Sequence, residues 1–363
     1  MKILLYSHSA NFYGAERSLL DLAEGLARSE HVVSALCPAP GPLSEEVKKL
    51  DIPVSYMPFP GIGAGSVREI LHFLLVFLPA GIRLRRWMRK NDIQVVYANT
   101  INAVLGCFAA ALAGIRTVWH IREVKPKNAI LTKIAGIIIN WISSEAVFNS
   151  YATMNAFKQR KSLRWHVVYN GIETNHPFKN KEFSSHFVAG FAGQMADHKK
   201  PERFLHVFSR LKSRAPNVRA IMAGDGPMLP KLRSMAEKLK IGDDIRFTGY
   251  LSDLDSFYST IDVLILTSDR ESFGRVVLEA MGHGRPVVAA AVGGVSELVE
   301  EGKTGYLVAA DDIDAYCQKI LFLKNHPETC RRMAEAAYRR VSERFCKSLY
   351  QRRLIRILVN GPA

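Results

Sequence analysis

The sequence predicts an α/β protein built from two Rossmann-like domains with parallel sheets. Three observations carry this. Apolar runs of strand length alternate with helix-length segments, the connections between them are short, and the periodicity breaks in one place, over 170–185. Parallel strands cannot be joined by tight turns, so this alternation means helices crossing over both faces of each sheet. In the first half, strands are expected over 3–7, 32–36, 54–57, 95–98, 117–120, 146–149 and 166–169. In the second they are expected over 187–193, 220–224, 245–248, 263–267, 286–290 and 305–308. The amphipathic segments 15–28, 201–213, 228–239 and 273–282 are expected as helices between them.

The break contains Gly171, Asn175, Pro177, Asn180, Ser184 and Ser185, and no apolar run crosses it. Domains are therefore expected over 1–172 and 186–347, with a linker over 173–185. A chain of 363 residues is too long for one ordinary core and suits two. Ligands in such sheets bind beyond the carboxyl ends of the strands, so two facing domains would place a site in the cleft between them.

Composition narrows the class. Hydrophobic residues make up 48% and charged residues 23%, which excludes a disordered, collagen-like or coiled-coil chain. The cysteines, Cys37, Cys107, Cys317, Cys330 and Cys346, are odd in number and scattered. They suggest neither a disulfide framework nor a zinc site, and a reducing compartment is expected. The apolar run over 3–6 is too short for a signal-peptide core. The expected location is cytoplasmic.

The formal charge is +15, and it is uneven: from Arg331 to the end, nine basic residues face only Glu335 and Glu343. Such an excess fits an anionic partner, and it equally fits a solvated helix face. Segment 70–82 is apolar apart from His72, Pro79 and Gly81, and is followed by Arg83, Arg85, Arg86, Trp87, Arg89 and Lys90. Thirteen residues do not span a bilayer. They fit a helix lying among lipid headgroups at the inner face of a membrane, inserting near Phe73, Phe77 and Trp87, or a helix packed into the first domain with a basic end. The apolar stretch 135–142 reads as core.

The chemistry concentrates in 269–288. Glu271 follows an apolar strand, placing it in an open position at that strand's carboxyl end. Phe273, Gly274 and Arg275 then open a helix whose free N–H groups suit a phosphate. Glu279 lies eight residues beyond Glu271, about 12 Å at helical rise. That matches the separation of a sugar and a ribose across a diphosphate. Two such carboxylates alone would pass for a solvated helix face.

With its surroundings, the segment resembles the Glu-x7-Glu stretch of family 4 glycosyltransferases, retaining enzymes of the GT-B fold. The resemblance extends through Gly224-Asp225-Gly226-Pro227, Phe247-Thr248-Gly249-Tyr250, Ala291-Val292-Gly293-Gly294 with Glu297, and Gly302-Lys303-Thr304-Gly305. In the first half, Tyr13-Gly14-Ala15-Glu16 is similar to the family's Gly-Gly-Ala-Glu loop, with Tyr13 in place of the first glycine. Trp119-His120-Ile121-Arg122-Glu123 resembles the segment whose histidine meets the donor sugar. The resemblance also implies a final helix, about 348–363, that returns to the first domain, which would bring the two basic segments to one face.

What it implies for function is a sugar transferred from a UDP- or GDP-type nucleotide sugar to a saccharide or lipid-linked acceptor hydroxyl. The first domain would present the acceptor and the second would hold the donor. Glu271 and His120 would be catalytic; Gly14, Gln194, Lys199, Tyr250, Leu251, Phe273, Gly274, Arg275 and Glu279 would bind donor and nucleotide. No metal, no cofactor and no nucleic acid are implied. One departure stands out. Where the family usually has Gly-Arg, this chain has Gly193-Gln194, while Lys199 keeps the lysine five residues on. Glutamine lacks the charged fork of arginine, so Arg275 or Lys200 would have to substitute on the diphosphate. Gln194 also keeps open a non-catalytic subunit that binds sugar nucleotides. A nucleotide-sugar epimerase or a phosphorylase of the same architecture is the other rival.

Overall fold

The computed structural model describes residues 1–58, 67–123, 129–157, 163–174, 178, 181 and 186–360, with the backbone alone over 67–74 and 129–135. The chain divides into two compact units: Met1–Gly171 together with the chain from Lys347 onward, and Ile172–Cys346. Most of the expected linker, and Phe73's side chain, lie outside the described residues.

In the first unit, strands β1 (Lys2–Ser7), β2 (Val32–Cys37), β3 (Val54–Tyr56), β4 (Val95–Asn99), β5 (Arg116–Ile121), β6 (Glu145–Phe148) and β7 (Arg164–Val167) form a parallel sheet. Their order is β3-β2-β1-β4-β5-β6-β7. Strand β7 begins two residues before the expected 166–169, because pairing to β6 starts at Glu145 opposite Arg164.

Alternate strand residues serve two cores. Leu4, Tyr6, Val96, Ala98, Trp119 and Phe148 face α3 (Val67–Lys90), α4 (Val104–Ala113) and α5 (Ala129–Ile142). Ile3, Leu5, Val33, Val95, Val118 and Val147 face α1 (Gly14–Ala27) and the final helix α14 (Lys347–Val359), through Leu22, Leu26, Tyr350, Leu354 and Leu358. Short helices α2 (Pro42–Lys48) and α6 (Tyr151–Asn155) complete the unit. Full burial of a leucine or valine contributes about 1.5–3 kcal/mol, so this alternation fixes the strand register.

The second unit carries β8 (Phe187–Ala192), β9 (Val218–Ala223), β10 (Ile245–Gly249), β11 (Val263–Leu266), β12 (Val287–Ala290) and β13 (Gly305–Val308), all parallel, in the order β10-β9-β8-β11-β12-β13. Helices α7 (Pro201–Arg214), α8 (Leu229–Lys238), α9 (Asp255–Thr260), α10 (Arg275–Gly282), α11 (Val295–Leu298), α12 (Ile313–Asn325) and α13 (Pro327–Arg344) surround it. Each sheet is an open doubly wound sheet of Rossmann type, with its order reversing once: between β1 and β4, and between β8 and β11. Such reversals open a crevice at the carboxyl ends of the two strands, where neighbouring connections leave to opposite faces.

Three expectations are corrected. The basic segments near 83–90 and in α14 do not share a face, since α3 and α14 pack on opposite sides of one sheet. The terminal excess is also partly spent internally: Arg340 pairs with Glu300, and Lys347 pairs with Glu24 and Asp21. Segment 135–142 is not simply core. Ile139 is buried, but Ile137 and Trp141 are exposed.

Candidate functional site

In the second unit, the switch between β8 and β11 gathers most of the residues singled out by sequence. Gln194, exposed, and Lys199 follow β8; Glu271 follows β11. The two loops are stapled together. Thr267 Oγ1 donates to the carbonyls of Lys199 (3.2 Å) and Lys200 (3.0 Å), the Asp269 amide donates to His198 O (3.1 Å), and Arg203 reaches Thr267 O at 2.6 Å. This fixes Lys199 Nζ 2.6 Å from Glu271 Oε1, which also accepts from Ser268 Oγ at 2.8 Å.

Glu271 is only 8% exposed, so the expectation of an open position is corrected: its carboxylate is held among partners. Its backbone is held as well. The Gly294 amide donates to Glu271 O at 3.2 Å, and a Cβ on Gly293 (φ +51°) would lie 1.8 Å from that oxygen. Only glycine permits this approach.

Helix α10 starts two residues later than expected. Gly274 takes φ +95°, a left-handed value that ends the preceding loop and leaves Arg275 as the first helical residue. Phe273 is buried, with its ring 6.0 Å from that of Phe345, and so anchors the loop. One turn on, Glu279 accepts from Arg275 Nε at 2.9 Å and from the Tyr258 hydroxyl at 2.9 Å. Tyr250 is exposed and Leu251 half-buried in the loop after β10.

Neither proposed substitute for the missing arginine is free. Arg275 is on Glu279, and Lys200 is on Asp197 at 2.6 Å and near Asp269 at 3.7 Å. Lys199 is thus the cation nearest Glu271, and Gln194 adds none.

In the first unit, Gly14 opens α1 behind an exposed Tyr13, and Glu16 Oε2 accepts the Tyr13 amide at 3.1 Å. His120 sits near the end of β5, fully buried. Burial, and next the Arg122 guanidinium, hold its imidazole well below the usual histidine range. Thr100, at the end of β4, takes φ +76°, unusual for a β-branched residue. It is pinned by the His120 carbonyl, by Trp119 Nε1 (2.7 Å) and by His8 Nδ1 (2.9 Å).

These sites fall where two family models match. Residues 172–340 match the model described as glycosyl transferases group 1, and residues 12–176 match glycosyltransferase family 4. The chain belongs to the family 4 glycosyltransferases. Among curated relatives of this glycosyltransferase family, N-acetyl-alpha-D-glucosaminyl L-malate synthase of Bacillus anthracis is 30% identical over 201 residues, 53% of this chain and 52% of the relative. D-inositol 3-phosphate glycosyltransferase of Corynebacterium glutamicum (strain R) is 36% identical over 159 residues, 41% of this chain and 38% of the relative. The matches thus span about half or less of those relatives' lengths. The structure of Anabaena HepE in complex with UDP and glucose superposes with a TM-score of 0.85 at 24% identity, over 99% of this chain and 100% of that one. The fold is GT-B.

Sequence reasoning missed several neighbours of the motif residues in this family 4 chain. Tyr258 reaches Glu279 from α9, Ser268 reaches Glu271, Arg122 and Tyr97 meet His120, and Tyr350 meets Arg122. Arg122 stood inside a quoted motif, but its role was invisible. No local spacing connects Tyr350 to residue 122, because that contact exists only once α14 has packed against the first unit.

Proposed function

We propose that the chain is a retaining glycosyltransferase that moves a sugar from a nucleoside diphosphate sugar to an acceptor hydroxyl. One observation carries this reading: at the β8/β11 switch, Glu271 and Glu279 are held on either side of the Gly274 turn, with Lys199 on the first and Arg275 on the second. Glu271 orients the transferred sugar, Glu279 accepts from ribose hydroxyls, and Lys199, with the N–H groups opening α10, receives the diphosphate. Phe273 and Gly274 shape that turn, while Tyr250 and Leu251 flank the base. Gln194 lies over the phosphates without adding charge.

The reaction is a same-face displacement. The bond from the anomeric carbon to the diphosphate oxygen breaks, and the acceptor oxygen bonds to that carbon from the same side. The acceptor's proton passes to the departing phosphate oxygen. His120 contacts the sugar, and Gly14 gives the backbone close approach to the acceptor. The charge that develops on the leaving group is met by protein cations and amides, so no metal is required.

The acceptor belongs to cell-surface polysaccharide or glycolipid synthesis, and the enzyme works at the cytoplasmic membrane face. The observation favouring a membrane is the exposure of Leu75 and Leu78 on α3, which also exposes Arg83, Arg86, Arg89 and Lys90, and of Ile137 and Trp141 on α5. Phe77 and Trp87, the expected insertion points, instead pack against the core. No helix among the described residues is long and apolar enough to cross a bilayer. The test is release of UDP or GDP from a panel of nucleotide sugars, with lipid-linked and soluble acceptors. Nucleotide release that depends on acceptor, giving an α-linked product from an α-linked donor, supports the reading. Tight donor binding without turnover across the panel favours a non-catalytic subunit.

A further inference from the structure

The buried surroundings of His120 bear on which of its nitrogens carries the proton. Tyr97 Oη lies 2.7 Å from His120 Nδ1, with the two rings edge-to-face. Arg122 Nη2 lies 3.2 Å from the same nitrogen, 3.1 Å from Tyr97 Oη and 2.6 Å from Tyr350 Oη. A guanidinium only donates, so Arg122 is the donor in each of these contacts, its two Nη2 protons being shared among the three. Tyr97 Oη accepts one of them and has its own proton left for Nδ1. Tyr350 likewise accepts from Arg122 and donates onward to Ser18 O at 2.7 Å.

Arg122 can only donate to Nδ1 and the Tyr97 hydroxyl is able to donate to it, so both neighbours favour a lone pair on Nδ1. A neutral imidazole then carries its proton on Nε2. That nitrogen is buried and has no hydrogen-bond partner among the described residues. Arg122 cannot easily turn away. Its Nε donates to Asn99 Oδ1 at 2.8 Å, and its Nη1 donates to Asn170 Oδ1 at 2.5 Å. Asn99 ends β4, Asn170 follows β7, and Tyr350 comes from α14, so three separate segments hold one side chain.

We propose that Arg122 and Tyr97 are positioning residues that lock His120 as a neutral Nε2–H hydrogen-bond donor, and that this unspent donor is kept for an oxygen of the bound sugar nucleotide. The final helix takes part, because Tyr350 closes the cage around the guanidinium. In this state His120 takes no proton from the acceptor; it only donates. The inference rests on the reading that His120 meets the donor sugar.

The test separates the two. Nitrogen NMR on histidine-labelled protein, with His120 assigned by loss of its signals in His120→Gln, reads the tautomer directly. The expected wild-type result at neutral pH is a protonated Nε2 and an unprotonated Nδ1. A proton on Nδ1, or a doubly protonated ring, overturns the lock whatever the ligand does. Tyr97→Phe and Arg122→Met are expected to mix the tautomers, whereas Arg122→Lys, which keeps a donor, restores the single form in part. Should Arg122→Met fail to fold, Tyr97→Phe carries the comparison. Calorimetry then compares UDP and GDP with UDP-glucose, UDP-galactose, UDP-N-acetylglucosamine and GDP-mannose. In Tyr97→Phe, affinity for the sugar nucleotide that wild type binds tightest should fall by about fivefold to tenfold, with the bare nucleotide unchanged. Mixed tautomers with an unchanged affinity ratio would show that His120 does not meet the sugar, and would remove the function assigned to the lock.

Discussion

Lys199 Nζ and Glu271 Oε1 stand 2.6 Å apart although they are 72 residues apart in sequence, and both are largely buried. The pair places a carboxylate at the β8/β11 switch and, on the proposed reading, engages the lysine that receives the diphosphate. Donor binding must therefore share or displace this contact.

The first prediction follows from that sharing. Glu271→Gln should abolish transfer, with nucleotide affinity kept or raised as Lys199 is released. Because Glu271 is buried, the fold should lose about 1–3 kcal/mol, measurable by urea unfolding. Wild-type turnover in the variant would end the assignment of Glu271. Mass spectrometry should find no glycosyl group on Glu271 of the native enzyme.

Glu279 gives a graded result. Glu279→Ala should weaken donor binding by about 1.5–3 kcal/mol, the range for hydrogen bonds to a charged group. Tyr258→Phe removes only the neighbour that donates to Glu279 Oε2 at 2.9 Å, and should cost less. Calorimetry with UDP and GDP gives both values, and equal losses would contradict the ordering.

Gln194→Arg should tighten binding of the free nucleoside diphosphate by about tenfold, because neither Arg275 nor Lys200 has its charge unpaired. Unchanged affinity would mean that Arg275 leaves Glu279 for the phosphates when ligand binds. Arg275→Ala would then show the corresponding loss.

Acid stability should register His120. Its pKa in the folded chain lies well below the ordinary 6.5, chiefly through burial. The unfolded chain therefore takes up a proton that the folded chain refuses. This contribution is complete above pH 6.5 and is lost as pH falls below it. Denaturation midpoints should drop between about pH 7 and pH 5, and His120→Gln should flatten that slope.

Vesicle binding should depend on α3 and α5 and not on α14. Replacing Arg83, Arg85, Arg86 and Arg89 with Ser should weaken sedimentation with anionic vesicles and leave nucleotide affinity intact. Each basic residue near such a surface contributes about 1 kcal/mol. Salt should reduce binding without removing it, since Leu75, Leu78 and Trp141 supply apolar contact. Equal sedimentation with neutral and anionic vesicles would point to a soluble acceptor.

The sequence by itself determined the strand–helix alternation, the break near residue 171 and the stretch from Glu271 to Glu279. These are local properties: strand and helix periods, turn residues, and functional groups spaced along one loop and one helix. Only the tertiary structure decided that β7 begins at Arg164, that α10 waits for Arg275, and that Glu271 is buried. Pairing partners and a left-handed glycine set the first two, and the stapling of two distant loops sets the third. The Lys199–Glu271 pair and the contacts of Arg122 with Tyr97 and Tyr350 join residues 72, 25 and 228 positions apart. The two basic segments are alike in composition, yet they end on opposite faces of one sheet. Side-chain alternation in strands settles that, because α3 and α14 each cover the set of strand residues that the other cannot reach.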